Sequence, residues 1–287
     1  MVNKWLIINT LKHPYIITRT LENLCIDTET ICAGNRSVTA RCSYGDSIDE
    51  MLIKCYLERN ERSRYLYGSM YFDNELAIFT PSGKVEYIDV AFSRWVEGRA
   101  LSECIADPSC DFKSLSRRFD ALAYSLMFGN LVHCDVKPDN IIVRYDGEMV
   151  LVDNDALWSD SLGPNLSREY GTVGFRDVNS TIYTPVEYAK NYPLVLISVI
   201  LAALSYDYNS MAKYLDDGAL LDPSNRRAYQ AALKLARELF SAALDNNHLA
   251  ILDAMTPSGI NADGLAHKFH EAACCRGRYD IGPTFDV

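Results

Sequence analysis

An α+β fold, with a β-rich first third followed by a helical remainder, is what the sequence predicts. Two observations carry this. The hydrophobic pattern changes from short alternating runs to helical spacing near residue 97, and an Asp-Gly turn between apolar runs marks a hairpin inside the helical part.

Before residue 97, residues 37–44 (SVTARCSY) and 50–57 (EMLIKCYL) are rich in β-formers. Residues 76–80 and 85–95 form a further pair, separated by the turn signal Pro81-Ser82-Gly83-Lys84. Residues 60–72 lack Pro and accommodate one short helix. Beyond residue 97, Leu115, Phe119, Leu122, Ala123 and Leu126 share one helical face over 115–128, with Ser114 or Ser116 as its expected cap. Residues 140–145 and 149–153 are expected strands joined by Asp146-Gly147. Residues 192–204, 226–244 and 249–255 are expected helices, with Pro223 and Ser224 marking the start of the second. The tail, 276–287, has the composition of a loosely ordered end.

At 287 residues the chain is long enough for one large domain or two lobes, and 48% apolar residues suffice for a core. A net charge of −10 argues against broad nucleic-acid binding, which needs a basic face. The longest apolar run, 192–204, falls short of the roughly 20 residues that span a bilayer. The N-terminus lacks the pattern of a secretory signal. Nine cysteines at irregular spacing, with no C-x-x-C pair, argue against a zinc site or disulfide framework and suggest reduced thiols in a cytoplasm.

The chemistry concentrates in HCDVKPDN, residues 133–140. A loop carboxylate, Asp135, is suited to orient a hydroxyl and accept its proton. Lys137 is suited to offset the charge of a phosphoryl group, and the amide oxygen of Asn140 to hold a divalent cation. Thirteen residues beyond Asn140, Asp153 closes LVDND at the end of the hairpin. A strand-end carboxylate beside Asn140 completes an oxygen set of the kind Mg²⁺ takes together with substrate phosphates. Lys137-Pro138-Asp139 also suits a plain turn, and Asp153 and Asp155 also suit turn caps.

HCDVKPDN resembles the H-R-D-x-x-x-x-N catalytic loop of protein kinases, and VDND stands where D-F-G would. The resemblance implies a protein-kinase-like fold of two lobes, the small one over 1–96 and the large one over 97–287, with ATP and Mg²⁺ between them. By the same match Asp135 is the catalytic base, Lys137 contacts phosphate, and Asn140 and Asp153 are metal ligands. His133 resembles the loop histidine that braces the segment after D-F-G.

GTVGFR, residues 171–176, resembles the segment at the peptide-binding end of the activation loop. That places Thr172 near Asp135 and Lys137 and makes 158–170 the activation segment. Lys54 in MLIKCY resembles the third-strand lysine that contacts the α- and β-phosphates. Residues 94–101 (RWVEGRAL) resemble a bacterial hinge, with backbone groups of 93–95, Trp95 included, pairing with adenine.

The chain departs from the family in several places. No G-x-G-x-x-G is present, and only Gly34 in AGNR stands before the second strand to cradle phosphate. The Arg of H-R-D is Cys134. Glu61 or Glu75 is the candidate partner of Lys54. Lys190-Asn191 stands where a C-lobe helix usually opens with an Asp that ties down the catalytic loop. The expected function is transfer of the γ-phosphoryl of Mg-ATP to a Ser/Thr hydroxyl of a protein, with a protein substrate or regulatory partner. A nucleotide-binding pseudokinase and a small-molecule kinase are the alternatives.

Overall fold

The sheet of the first unit sets the frame. In this computed structural model, residues 2–45, 50–129, 132–158, 171–177, 179, 186–215, 226–256 and 259–274 are described. They divide into two compact units, one ending at Trp95 and the other beginning at Val96. Sequence positions 223–224, most of 158–170 and the tail from 276 lie outside the described residues.

The first unit opens with a helix absent from the sequence reading, α1 (Lys4–Leu11). Asn3 caps it, its side chain accepting from Leu6 N at 3.0 Å. Five strands follow as an antiparallel sheet: β1 (Cys25–Ala33), β2 (Ser37–Ser43), β3 (Met51–Tyr56), β4 (Tyr71–Phe79) and β5 (Val85–Arg94). Their spatial order is β1-β2-β3-β5-β4. One face buries Ile7 and Leu11 of α1 against Val38, Ile53, Leu76, Val90 and Phe92. The other carries Tyr56, Tyr71 and Ala91 beside Tyr67 of the short helix α2 (Glu61–Tyr67).

Two boundaries differ from the sequence expectation. β4 begins at Tyr71 rather than near residue 76, because an irregularity between Phe72 and Leu76 interrupts the alternation that reveals a strand. β1 shows no clean alternation either: its register with β2 shifts between Asp27 and Cys32, and its side chains are exposed or half-buried.

In the second unit, β6 (Arg99–Ala100) leads into α3 (Leu101–Ala106) and then α4 (Phe112–Phe128). Gly98 precedes β6. A Cβ there would lie 2.4 Å from the Val143 carbonyl, so only glycine lets the strands approach. The N-cap of α4 is Asp111, accepting from Ser114 N at 3.1 Å, and not Ser114 or Ser116. The aspartate sits three residues before Ser114, the spacing at which a side-chain oxygen reaches an unpaired helix N–H.

Two small sheets follow α4. β7 (Val132–His133) pairs with β10 (Leu157–Trp158), and β8 (Ile141–Val143) with β9 (Met149–Leu151) and β6. α5 (Asn191–Tyr206) is buried from Asn191 through Leu204, which explains a run of apolar residues with no polar face. Packed around it are α4, α6 (Tyr208–Ala212), α7 (Arg226–Ala242) and α8 (Asn246–Leu252). The expected helix over 249–255 starts three residues earlier, capped by Asp245. It stops at Leu252, and Met255 enters the short β11 (Met255–Thr256), paired with β12 (Gly259–Ile260). α9 (Leu265–Cys274) packs on α4. No helix among the described residues is long and apolar enough to cross a membrane.

Candidate active site

Backbone pairing brings HCDVKPDN and LVDND together. His133 lies opposite Leu157 in the β7–β10 pair, and Cys134 N donates to Ala156 O at 2.9 Å. Lys137 is extended, and Pro138 opens a 3₁₀ turn over Pro138–Asn140, where its fixed φ fits the first helical position. The hairpin formed by β8 and β9 then extends by one rung, with Val152 N donating to Asn140 O at 2.8 Å. That rung sets Asp153 one residue beyond the partner of Asn140. Asp153 has a left-handed backbone (φ 69°, ψ 57°), a conformation an Asp tolerates and most residues avoid.

Asp135 is the hub. Its Oδ1 accepts from the Thr172 hydroxyl at 2.7 Å. Its Oδ2 lies 3.1 Å from the Lys137 ammonium and accepts from Asn140 Nδ2 at 3.2 Å. Asn140 Nδ2 also donates to the Asp135 carbonyl at 2.8 Å. Lys137 donates in turn to the Thr172 hydroxyl at 3.1 Å, closing a triangle of Asp135, Lys137 and Thr172. Both amide protons of Asn140 are spent on Asp135, which leaves its Oδ1 as the atom offered to a cation.

His133 locks the loop from behind. Its Nε2 meets Val152 O at 3.0 Å, and its Nδ1 accepts from Asp135 N at 3.3 Å. Burial holds its basicity below the ordinary imidazole value, against the opposing pull of Asp153 and Asp135. A neutral ring with the proton on Nε2 satisfies both contacts. His133 ties the 133–140 loop to Val152, the residue before Asp153.

GTVGFR reaches the loop because Gly171 has φ +75° and approaches closely. A Cβ on it would lie 3.0 Å from the Cys134 carbonyl. Phe175 N closes a turn onto Thr172 O at 3.0 Å, and the Phe175 ring is buried in the helical core.

Lys190 takes a role the sequence did not announce. Its ammonium donates to the carbonyls of Leu126 at 2.5 Å and Met127 at 3.3 Å, in the last turn of α4. An Asp at that point would reach for backbone N–H groups, whereas this cation reaches for the orphan carbonyls of the helix that feeds the loop.

The remaining sequence candidates lie in the first unit. Lys54 is buried on β3, opposite Thr39 on β2 and Ala91 on β5. Gly34 sits in the β1–β2 turn, donating to Ser37 O at 2.9 Å. Glu61 does not pair with Lys54. It opens α2 in solvent and binds Arg59 at 2.5 Å, with Arg64 at 4.0 Å. Glu75, the alternative, is buried and accepts from Thr20 N at 2.6 Å and Leu21 N at 2.8 Å. Glu61 is held by its sequence neighbours Arg59 and Arg64, and Glu75 by Thr20 and Leu21, more than fifty residues away along the chain. The Trp95 N–H, expected to face adenine, donates to Glu50 O at 3.1 Å and continues the sheet.

A second polar cluster, buried in the second unit, escaped the sequence reading. His248 lies between Asp245 (Nδ1–Oδ2, 2.7 Å) and Asp120 (Nε2–Oδ2, 3.1 Å). Ser198 donates to Asp120 at 2.6 Å, and Tyr206 to Asp245 at 2.7 Å. Burial opposes the imidazolium, but Asp120 and Asp245 outweigh it and push His248 up to about 10. The one signal was Asp120 itself, a charge one residue past Phe119 on the apolar face of α4.

No family model matches the chain. Over 81 residues it is 35% identical to the serine/threonine-protein kinase RHS3 of Arabidopsis thaliana. That match covers 27% of this chain and 16% of the plant protein, a partial and distant likeness to a protein kinase.

Proposed function

We propose that this chain is a kinase-like phosphotransferase of two-lobed kinase fold, moving the γ-phosphoryl of Mg-ATP to a Ser or Thr hydroxyl of a protein. The observation that carries the reading is the Asp135 carboxylate, clamped by the Thr172 hydroxyl and the Lys137 ammonium.

Oδ1 of Asp135 keeps a lone-pair direction beyond the one Thr172 occupies, and an acceptor hydroxyl hydrogen-bonded there is aligned and loses its proton to the carboxylate. Lys137 spends two N–H groups on Asp135 and Thr172, and its third offsets phosphoryl charge. Asn140 Oδ1 and the Asp153 carboxylate are hard oxygen donors of the kind Mg²⁺ accepts alongside phosphates. The cation would neutralise charge on the β- and γ-phosphates. By the kinase resemblance, Lys54 and Gly34 would contact the phosphates. Free thiols throughout the described residues fit a reducing compartment such as the cytoplasm.

A second reading, a pseudokinase that binds nucleotide without transfer, is favoured by the engagement of Glu61 with Arg59 and Arg64 instead of Lys54. One experiment separates the readings. Thermal stabilisation by ATP is measured with and without Mg²⁺, and transfer of labelled γ-phosphate is followed onto Ser/Thr peptides and onto small alcohols. Transfer to peptide supports the kinase, and transfer to an alcohol supports a small-molecule kinase. Binding alone supports the pseudokinase, and neither binding nor transfer overturns all three.

A further inference from the structure

We propose that a groove at the end of the first unit's sheet docks a protein partner through an extended segment carrying arginine. The ladder between β3 and β5 ends at the Cys55–Val90 rung. Beyond that rung the chain leaves β5, and Leu57 N donates to Arg36 O at 3.0 Å. Residues 57–58, residues 86–88 and the first turn of α1 line a groove of about 760 Å³. Trp5 is 65% exposed, so its indole is open to a ligand. Tyr87 shows what such a ring accepts, because the Arg19 guanidinium rests 4.0 Å from its centroid. Glu58 is exposed and Glu86 half-buried, and against them stands Lys4, so the lining is net acidic.

An exposed indole beside carboxylates is matched by one side chain above others. A planar guanidinium stacks on the ring while its N–H groups reach the carboxylates, a combination that an ammonium makes less well. Trp and Arg are also the side chains that most often anchor protein interfaces. The acidic lining repels phosphate, which disfavours nucleic acid and anionic lipid as occupants. An arginine-bearing peptide satisfies both the aromatic and the acidic parts of the groove. Docking here goes beyond the phosphotransfer reading and does not depend on it.

The probe is a fluorescein-labelled peptide of alternating arginine and leucine, titrated with the full chain and followed by fluorescence anisotropy. It carries no Ser or Thr, so it offers no acceptor hydroxyl and reads docking alone. Saturable binding is expected, weakened by salt. The lysine counterpart should bind more weakly, and the glutamate counterpart and a labelled DNA oligonucleotide should not bind. Trp5→Ala and Glu58→Lys should each weaken the arginine peptide about tenfold, with circular dichroism unchanged. The same charge reversal at Glu238, 61% exposed on α7, should leave affinity as in the wild type. Equal weakening by Glu58→Lys and Glu238→Lys would reveal diffuse attraction to an acidic chain and overturn the proposal. Wild-type affinity from Trp5→Ala, tighter binding of the oligonucleotide, or no saturable binding would overturn it as well.

Discussion

The Thr172 hydroxyl donates to the Asp135 carboxylate at 2.7 Å from 37 residues along the chain, and the same oxygen accepts from Lys137. One hydroxyl therefore fixes both groups assigned to the acceptor side of the reaction. Thr172→Val removes a hydrogen bond to a charged group, about 1.5–3 kcal/mol, so kcat is expected to fall about 10- to 100-fold. The Michaelis constant for ATP stays unchanged, and Thr172→Ser retains most activity. Steady-state kinetics on a peptide substrate check this, and wild-type rates from the valine variant would remove Thr172 from the site.

On the proposed function, variants of Asp135 and Asp153 separate chemistry from binding. Asp135→Ala is expected to keep Mg²⁺-dependent nucleotide stabilisation and lose about 100-fold or more of transfer, the usual contribution of a positioned base. Asp153→Ala loses the Mg²⁺-dependent stabilisation while keeping the fold, read by circular dichroism. Wild-type transfer from both variants would end the assignment.

The hairpin that carries these residues was legible in the sequence because Asp146-Gly147 turns it locally. The rung from Val152 to Asn140 follows from strand pairing alone. Thr172 was placed by resemblance, and the structure supplies the reason, a Gly171 that lets two loops touch. Glu61 was expected to partner Lys54, but Arg59 two residues before it and Arg64 three after it hold its carboxylate, a local pairing the lysine-centred reading did not weigh. The Asp120–His248–Asp245 cluster was invisible for a different reason. Its members lie 128 and three residues apart, and only tertiary packing makes one site of them.

That cluster sets a pH dependence. His248 is raised from 6.5 to about 10, so its stabilisation is complete below about pH 6.5 and is lost as pH rises through about 10. Asp245 runs the other way. Burial raises it, but His248 and Tyr206 outweigh burial and hold it down to about 2, so its stabilisation is lost only as pH falls through that value. Asp120, Asp245 and Ser116 face the ring, Phe240 packs 5.5 Å from it, and Ser198 and Tyr206 hold the two carboxylates. His248→Gln leaves Asp120 buried without its cation, a loss of about 3–5 kcal/mol. Thermal melts should show the wild type falling toward the variant in alkali. Parallel curves across that range would mean the imidazole is not charged in the folded chain.

Lys54 and Glu61 provide the sharpest contrast in the small unit. The lysine is buried on β3, and the glutamate is 56% exposed in an ion pair with Arg59. A solvent-exposed pair contributes about 0.2–1 kcal/mol, so Glu61→Ala should lower stability slightly and leave nucleotide affinity unchanged. On the proposed function, Lys54→Met would remove a charge-assisted contact to phosphate and should weaken ATP binding about 10- to 100-fold. Isothermal titration of both variants with Mg-ATP distinguishes the two side chains. Equal weakening would mean that they meet when nucleotide binds, with Glu61 leaving Arg59 to reach Lys54.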